Sequence, residues 1–171
     1  MTNIEVVQGD ITRMDVDIVV NAANKTLLGG GGVDGAIHRR AGKELLEECR
    51  TLGGCRTGEA KMTNGYNMRC SKIIHTVGPV YHGGNNGEAE LLKNCYFNSM
   101  MLAEEYRFTN GFGSISIAFP CISTGVYGYP KKEACKIAVE TIKEINNSKI
   151  KVFFVCFEED QYQLYLDEIN K

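Results

Sequence analysis

D-I-V-V-N-A-A-N-K-T-L-L-G-G-G-G-V-D-G-A-I-H, residues 17–38, runs from an apolar β-branched strand through four consecutive glycines into the start of a helix. A glycine run ahead of a helix gives a backbone that can approach a ligand closely and aim unpaired N–H groups at an anion. The same run serves equally well as a plain surface loop. Residues 30–35 also fit G-x-G-x-x-G, but the dinucleotide fingerprint needs a tight turn after its strand and an acidic residue ending a second strand about 20 residues on. Here nine residues, 21–29, separate Val20 from Gly30, and Glu47 and Glu48 fall in a helical pattern. No G-K-[ST] follows a glycine loop, so a P-loop is equally poorly supported.

Outward from this stretch, short apolar runs at 4–7, 18–20, 72–77, 114–119 and 151–157 read as strands. Helical periodicity lies between them. In 132–146 the residues Ala134, Ile137, Ala138, Thr141, Ile142 and Ile145 share one face, and 88–106 carries a broad buried stripe. Residues 34–52 form a third helical region broken at Gly42, and 161–169 a short fourth. Strands alternating with crossover helices predict an α/β sheet covered on both faces. No repeat or linker divides the chain, which reads as one domain over 1–171.

A second glycine turn, S-T-G-V-Y-G-Y-P at 123–130, mirrors the first, lying between the strand at 114–119 and a helix starting near Lys131. Two such transitions in one sheet would set two groups of N–H donors and two positive helix ends around one ligand, and a diphosphate suits that arrangement. Beside these loops sit Asp10, Asn21, Asn24 and Asp34. Helix N-caps explain the aspartates and Asx turns the asparagines. A side-chain amide gripping a sugar hydroxyl and a carboxylate orienting a water explain Asn24 and Asp34 as well.

Composition limits the function classes. The chain has 171 residues, 19 Lys+Arg against 21 Asp+Glu and a formal charge of −2. Its length suffices for a core without disulfides or a structural metal. The near-neutral balance leaves no footprint for backbone-driven nucleic-acid binding, so no DNA partner is expected. Seven scattered cysteines, with no C-x-x-C pair and none beside a histidine, read as reduced core thiols. With an acidic N-terminus and no long apolar run, the expectation is a cytoplasmic protein without a membrane partner.

Five ordered motifs, VVQGDIT at 6–12, NAAN at 21–24, LLGGGGVDGAIH at 27–38, HTVGP at 75–79 and ISTGVYGYP at 122–130, closely resemble the macrodomain, specifically its MacroD-type ADP-ribosyl hydrolase branch. The resemblance spans essentially the whole chain. It implies a three-layer α/β/α fold with a mixed, largely parallel central sheet and a cleft for ADP-ribose. Matching positions imply that Asp10 accepts from the adenine amino group, with Ile11 nearby and Phe157 packed on the ring. Gly31, Gly32 and Val33, with Ser123, Thr124, Gly125, Val126 and Tyr127, would wrap the diphosphate and distal ribose, in agreement with the two-loop reading. Asn21 is carried over as a further ligand-binding position. Asn24 would hold the distal ribose and Asp34 the attacking water.

The implied reactions are cleavage of the ester between ADP-ribose and an Asp or Glu side chain and deacetylation of O-acetyl-ADP-ribose, with no cofactor. The zinc-dependent branch inserts Cys and His where this chain reads G-G-G-G-V-D, so no metal is expected. The lysine-dependent branch is a poorer match, and Lys25 reads as an exposed loop residue. The implied partners are ADP-ribose, its esters and mono-ADP-ribosylated proteins, taken by a monomer. The alternative is a non-catalytic reader of ADP-ribose, against which Asn24, the glycine run and Asp34 together favour the enzyme. Residues 53–57 and 81–87 match none of these motifs.

Overall fold

The computed structural model describes residues 1–171. Six strands, β1 (Asn3–Gln8), β2 (Ile18–Ala23), β3 (Ala60–Asn64), β4 (Lys72–Val77), β5 (Ile115–Phe119) and β6 (Ile150–Cys156), form one sheet in the order β1-β6-β5-β2-β4-β3. All neighbours are parallel except β3, which runs antiparallel to β4. Five helices cover the sheet: α1 (Gly32–Ala41), α2 (Lys43–Arg50), α3 (Glu88–Thr109), α4 (Lys131–Ile145) and α5 (Glu159–Ile169).

The central strands are apolar at successive positions because both faces are covered. In β2, Ile18 and Val20 join one core with α3, α4 and α5 through Leu92, Tyr96, Ala138 and Tyr165. Val19 joins the other, packed by Ile37 and Ala41 of α1 and Leu45 and Cys49 of α2. The result is the expected three-layer α/β/α arrangement.

β3 was not expected. Its sequence, Ala-Lys-Met-Thr-Asn, has neither the apolar run of a buried strand nor a clean alternation, and its pairing with β4 makes it a strand. Asp34 is not an N-cap: Gly31 caps α1 by backbone alone and Asp34 lies in the first turn, where a carboxylate also suits the positive helix end. Asn21 does not follow its strand but lies inside β2. No helix is long and apolar enough to cross a membrane.

Candidate functional site

Parallel strands bring their carboxyl ends to one edge, and nearly every residue singled out in the sequence lies along it. At one end β1 pairs with β6 in the register Gln8 to Cys156, which sets Asp10 and Ile11 beside Phe157. Asp10 caps the 3₁₀ turn Ile11–Arg13, accepting from the Thr12 amide at 2.9 Å and its hydroxyl at 2.7 Å. Those bonds, with Arg13 and Arg40 nearby, lower its pKa and keep it a charged acceptor. Ile11 is buried, whereas Phe157 is 80% exposed, an apolar ring left largely open.

Toward the middle, β5 leads into the second loop and β2 into the first, and these strands are hydrogen-bonded neighbours. Their loops therefore lie side by side, while the helices that follow pack on opposite faces. Ser123 adopts φ +67, a conformation costly for a side chain with a Cβ, and its buried hydroxyl has no partner in the protein. The Thr124 hydroxyl is engaged by Cys121 O and Gln161 Oε1, leaving its backbone for other contacts. Bonds from Tyr129 N to Ser123 O and from Gly128 N to Gly125 O close the loop, with Gly125 and Val126 outermost. Tyr127 O accepts from Tyr81 N at 2.8 Å, tying the loop to the chain beyond β4. Gly78 makes that contact possible, since a Cβ there would meet Ser123 Oγ at 2.1 Å and Ile122 Cγ2 at 2.6 Å.

At the first loop Asn24 ends β2 in an Asx turn. Its Oδ1 accepts from Thr26 N at 3.1 Å and Thr26 Oγ1 at 2.6 Å, and its Nδ2 donates to Gly29 O at 2.9 Å. One amide proton remains for a ligand. Gly31 and Gly32 are exposed and Val33 half-buried. A Cβ on Gly30 would lie 3.1 Å from Asp34 Oδ2 and 3.3 Å from Asn24 Nδ2, so the carboxylate and the amide converge on this glycine. Asn24 and Tyr127 also line one cavity of about 570 Å³.

Asp34 is 5% exposed and is held from beneath. Its Oδ1 accepts from Asn21 Nδ2 at 2.8 Å, which leaves Oδ2 for the cleft. Asn21 has no exposed surface, and its other amide proton reaches His75 Nδ1 at 3.1 Å across paired strands, where the two residues are in register. With Nδ1 accepting, His75 donates from Nε2 to Thr63 Oγ1 at 2.9 Å, and Thr63 donates to Asn64 O at 3.2 Å. The Asn21 amide thus donates in two directions, to Asp34 on one side and into the His75–Thr63–Asn64 relay on the other, which fixes the amide and through it the carboxylate. Burial, with a smaller contribution from His38, pushes the His75 pKa down to about 3, so the ring stays neutral. His38 Nε2 lies 3.4 Å from Asp34 Oδ1 without hydrogen-bond alignment.

His38, His75 and Thr63 do not stand out as site residues in the sequence. His38 was within reach as the i+4 neighbour of Asp34 on a helix, but the His75 and Thr63 contacts depend on strand pairing. Asn21 meets Asp34 directly and has no exposed surface of its own. No group of three or more His, Cys, Asp or Glu side chains is arranged to hold a metal ion.

A backbone cradle between two loops suits an anion, and a pinned carboxylate beside a free amide proton can hold a water against a hydroxylated group. Known proteins sharing this architecture extend the picture. The chain is 54% identical over 165 residues to a macro domain-containing protein of Chlorobaculum tepidum, covering 95% of this chain and 92% of that one. It is 51% identical over 169 residues to a protein of Enterobacter sp. named O-acetyl-ADP-ribose deacetylase, covering 95% and 91%. Among solved structures, a variant macrodomain of Oceanobacillus iheyensis with ADPR superposes at a TM-score of 0.90 with 43% identity, over 98% of this chain and 91% of that one. A Trypanosoma brucei macrodomain in complex with ADP-ribose gives 0.86 and 43%, over 98% and 69%. Residues 20–138 match the family described as Macro domain, and with these relatives that match shows that the chain belongs to the macrodomain family.

Proposed function

We propose that this protein binds ADP-ribose along the carboxyl edge of its sheet and hydrolyses esters on the distal ribose, releasing acetate from O-acetyl-ADP-ribose and Asp or Glu side chains from mono-ADP-ribosylated proteins. The observation that carries the reading is the convergence of Asp34 Oδ2 and Asn24 Nδ2 on Gly30. A relative named O-acetyl-ADP-ribose deacetylase and a macrodomain solved with ADP-ribose agree with it.

In this reading adenine lies by Asp10 and Ile11 with Phe157 on its face. The diphosphate lies between Gly31, Gly32 and Val33 on one side and residues Ser123, Thr124, Gly125, Val126 and Tyr127 on the other, where the unpartnered Ser123 hydroxyl has an acceptor to meet. Asn24 donates its remaining amide proton to the distal ribose. Asp34 Oδ2 holds the water, and a substrate phosphate oxygen shares it. The water oxygen bonds to the ester carbonyl, the carbonyl-to-ribose C–O bond breaks, and the ribose oxygen leaves with a proton. Oδ1 is already occupied by Asn21, so the carboxylate has one direction in which to offer its lone pairs. It orients water and ribose at least as much as it removes a proton.

The test is a time course of ADP-ribose release from a glutamate-linked mono-ADP-ribosylated protein, and of acetate release from O-acetyl-ADP-ribose. Wild type should turn over, and Asp34→Ala should be slower by about 10²-fold or more with ADP-ribose affinity largely kept. Binding without turnover of either ester would make the protein a reader.

A further inference from the structure

Beyond the Asn24 turn the cleft continues into a second depression, of about 620 Å³, which shares Lys25 and Thr57 with the cavity lined by Asn24 and Tyr127. Its lining includes Lys25, Arg56, Lys61 and Glu59, with no aromatic and a single hydrophobic residue. It lies at the end of the cleft where the ester would leave the ribose, so this inference rests on the function proposed above. We propose that this recess receives the polypeptide flanking the modified side chain and selects flanks rich in Asp and Glu.

The wall of the recess is built onto the turn that carries Asn24. Cys55 N donates to Lys25 O at 2.9 Å, Lys61 Nζ donates to Leu52 O and Gly54 O, and Gly58 N donates to Val77 O at 2.8 Å. The loop at 53–57 thus has a fixed shape beside the ribose end of the cleft. Lys61 spends its protons on carbonyls, which do not neutralise its charge. Lys25 and Arg56 are exposed and take part in none of the protein's ion pairs. Three cations against Glu59 make a local positive field on a chain whose overall charge is negative. A hydrophobic flank would find almost no apolar surface there. A nucleic-acid flank would lack the stacking platform that single strands use. Acidic side chains reaching unpaired Lys25 and Arg56 are the occupant that fits.

The experiment measures binding by the Asp34→Ala chain, so that the ester survives, of peptides bearing one glutamate-linked ADP-ribose with either Asp/Glu or Ser/Gly flanks. Free ADP-ribose and a 5′-ADP-ribosylated RNA oligonucleotide are measured beside them. The acidic-flank peptide should bind about five- to tenfold tighter than the neutral one at low ionic strength, with the advantage shrinking as salt screens it. Adding Arg56→Glu, at a residue that lines the recess but not the cavity of Asn24 and Tyr127, should remove most of that preference while free ADP-ribose affinity is unchanged. Equal affinity for both peptides overturns the proposal. So does an RNA that binds more tightly than the acidic peptide and loses its advantage in the charge-reversed chain. Charge reversal that weakens free ADP-ribose as much as the peptide would place Arg56 in the nucleotide site and also overturn it. Failure of the unaltered Asp34→Ala chain to bind free ADP-ribose would instead strike the underlying reading, and this proposal with it.

Discussion

Asn21 spends both amide protons inside the protein, one on Asp34 and one on His75, while its own Oδ1 has no partner. An unpaired buried acceptor is costly, and its persistence is understandable where the amide's orientation is what matters. Asn21→Leu should therefore lower ester turnover about tenfold or more, by analogy with losing a positioned catalytic group, while free ADP-ribose affinity changes little. It should also destabilise the fold by about 1–3 kcal/mol, because His75 Nδ1 would be left without its donor. Steady-state kinetics beside calorimetric binding check this, and equal losses in both would assign Asn21 to binding. Gly30→Ala acts at the same point from the solvent side. Its Cβ would press on Asp34 Oδ2 and Asn24 Nδ2, so turnover and affinity should fall together. Asn24 and Asp34 were legible in the sequence because they flank a glycine run. Asn21 was visible only as a polar residue near a strand end, and its direction of action came from the folded structure.

Each element positions the site through something it cannot do alone. The first loop delivers Asp34 because α1 starts at Gly32 and the carboxylate falls in its first turn; the second loop stays beside it because β5 and β2 are bonded neighbours. Gly78→Ala should displace the second loop, with a cost of about 1–3 kcal/mol as in an overpacked core and a clear loss of ADP-ribose affinity. Thermal melts with and without ligand would show both, and an unchanged ligand-induced shift would mean that the loop does not touch the ligand. At the start of α3, the Glu88 carboxylate accepts from the backbone N–H groups of His82, Gly84 and Asn86, fixing a segment that contributes His82 and Asn86 to the cavity. Periodicity located five strands and all the helical regions, with β4 matching residue for residue and α3 running to Thr109 rather than 106. β3 escaped because an edge strand with polar side chains carries no apolar signal of its own.

For the whole molecule, acid should act chiefly through the three groups whose pKa values the fold lowers most. His75 falls from 6.5 to about 3 by burial, Glu88 from 4.5 to about 2 through the amides that begin with His82, and Glu104 from 4.5 to about 2 through Arg107. In each case the unfolded chain binds the proton first, so the stabilisation is present at neutral pH and lost as pH falls from the unfolded value toward the folded one. Unfolding free energies from urea titrations should begin to drop below about pH 6.5, by at most about 1.4 kcal/mol per pH unit for the single His75 proton, and drop faster below about 4.5, with the midpoints falling alongside. A midpoint flat from pH 7 to 5 would mean that His75 is charged in the fold. By itself the sequence determined the alternation of strands and helices, the two glycine loops, the placement of Asn24 and Asp34 beside the first loop and the family resemblance, because all of these depend on residues close along the chain. Only the tertiary structure decided that the two loops lie side by side, that β3 is a strand, that Asn21, His75 and Thr63 form one hydrogen-bonded chain beneath Asp34, and that residues 53–57 wall a cationic recess beyond Asn24. Those facts depend on which strands pair and in what register, and a buried polar residue shows its partner only once that pairing exists.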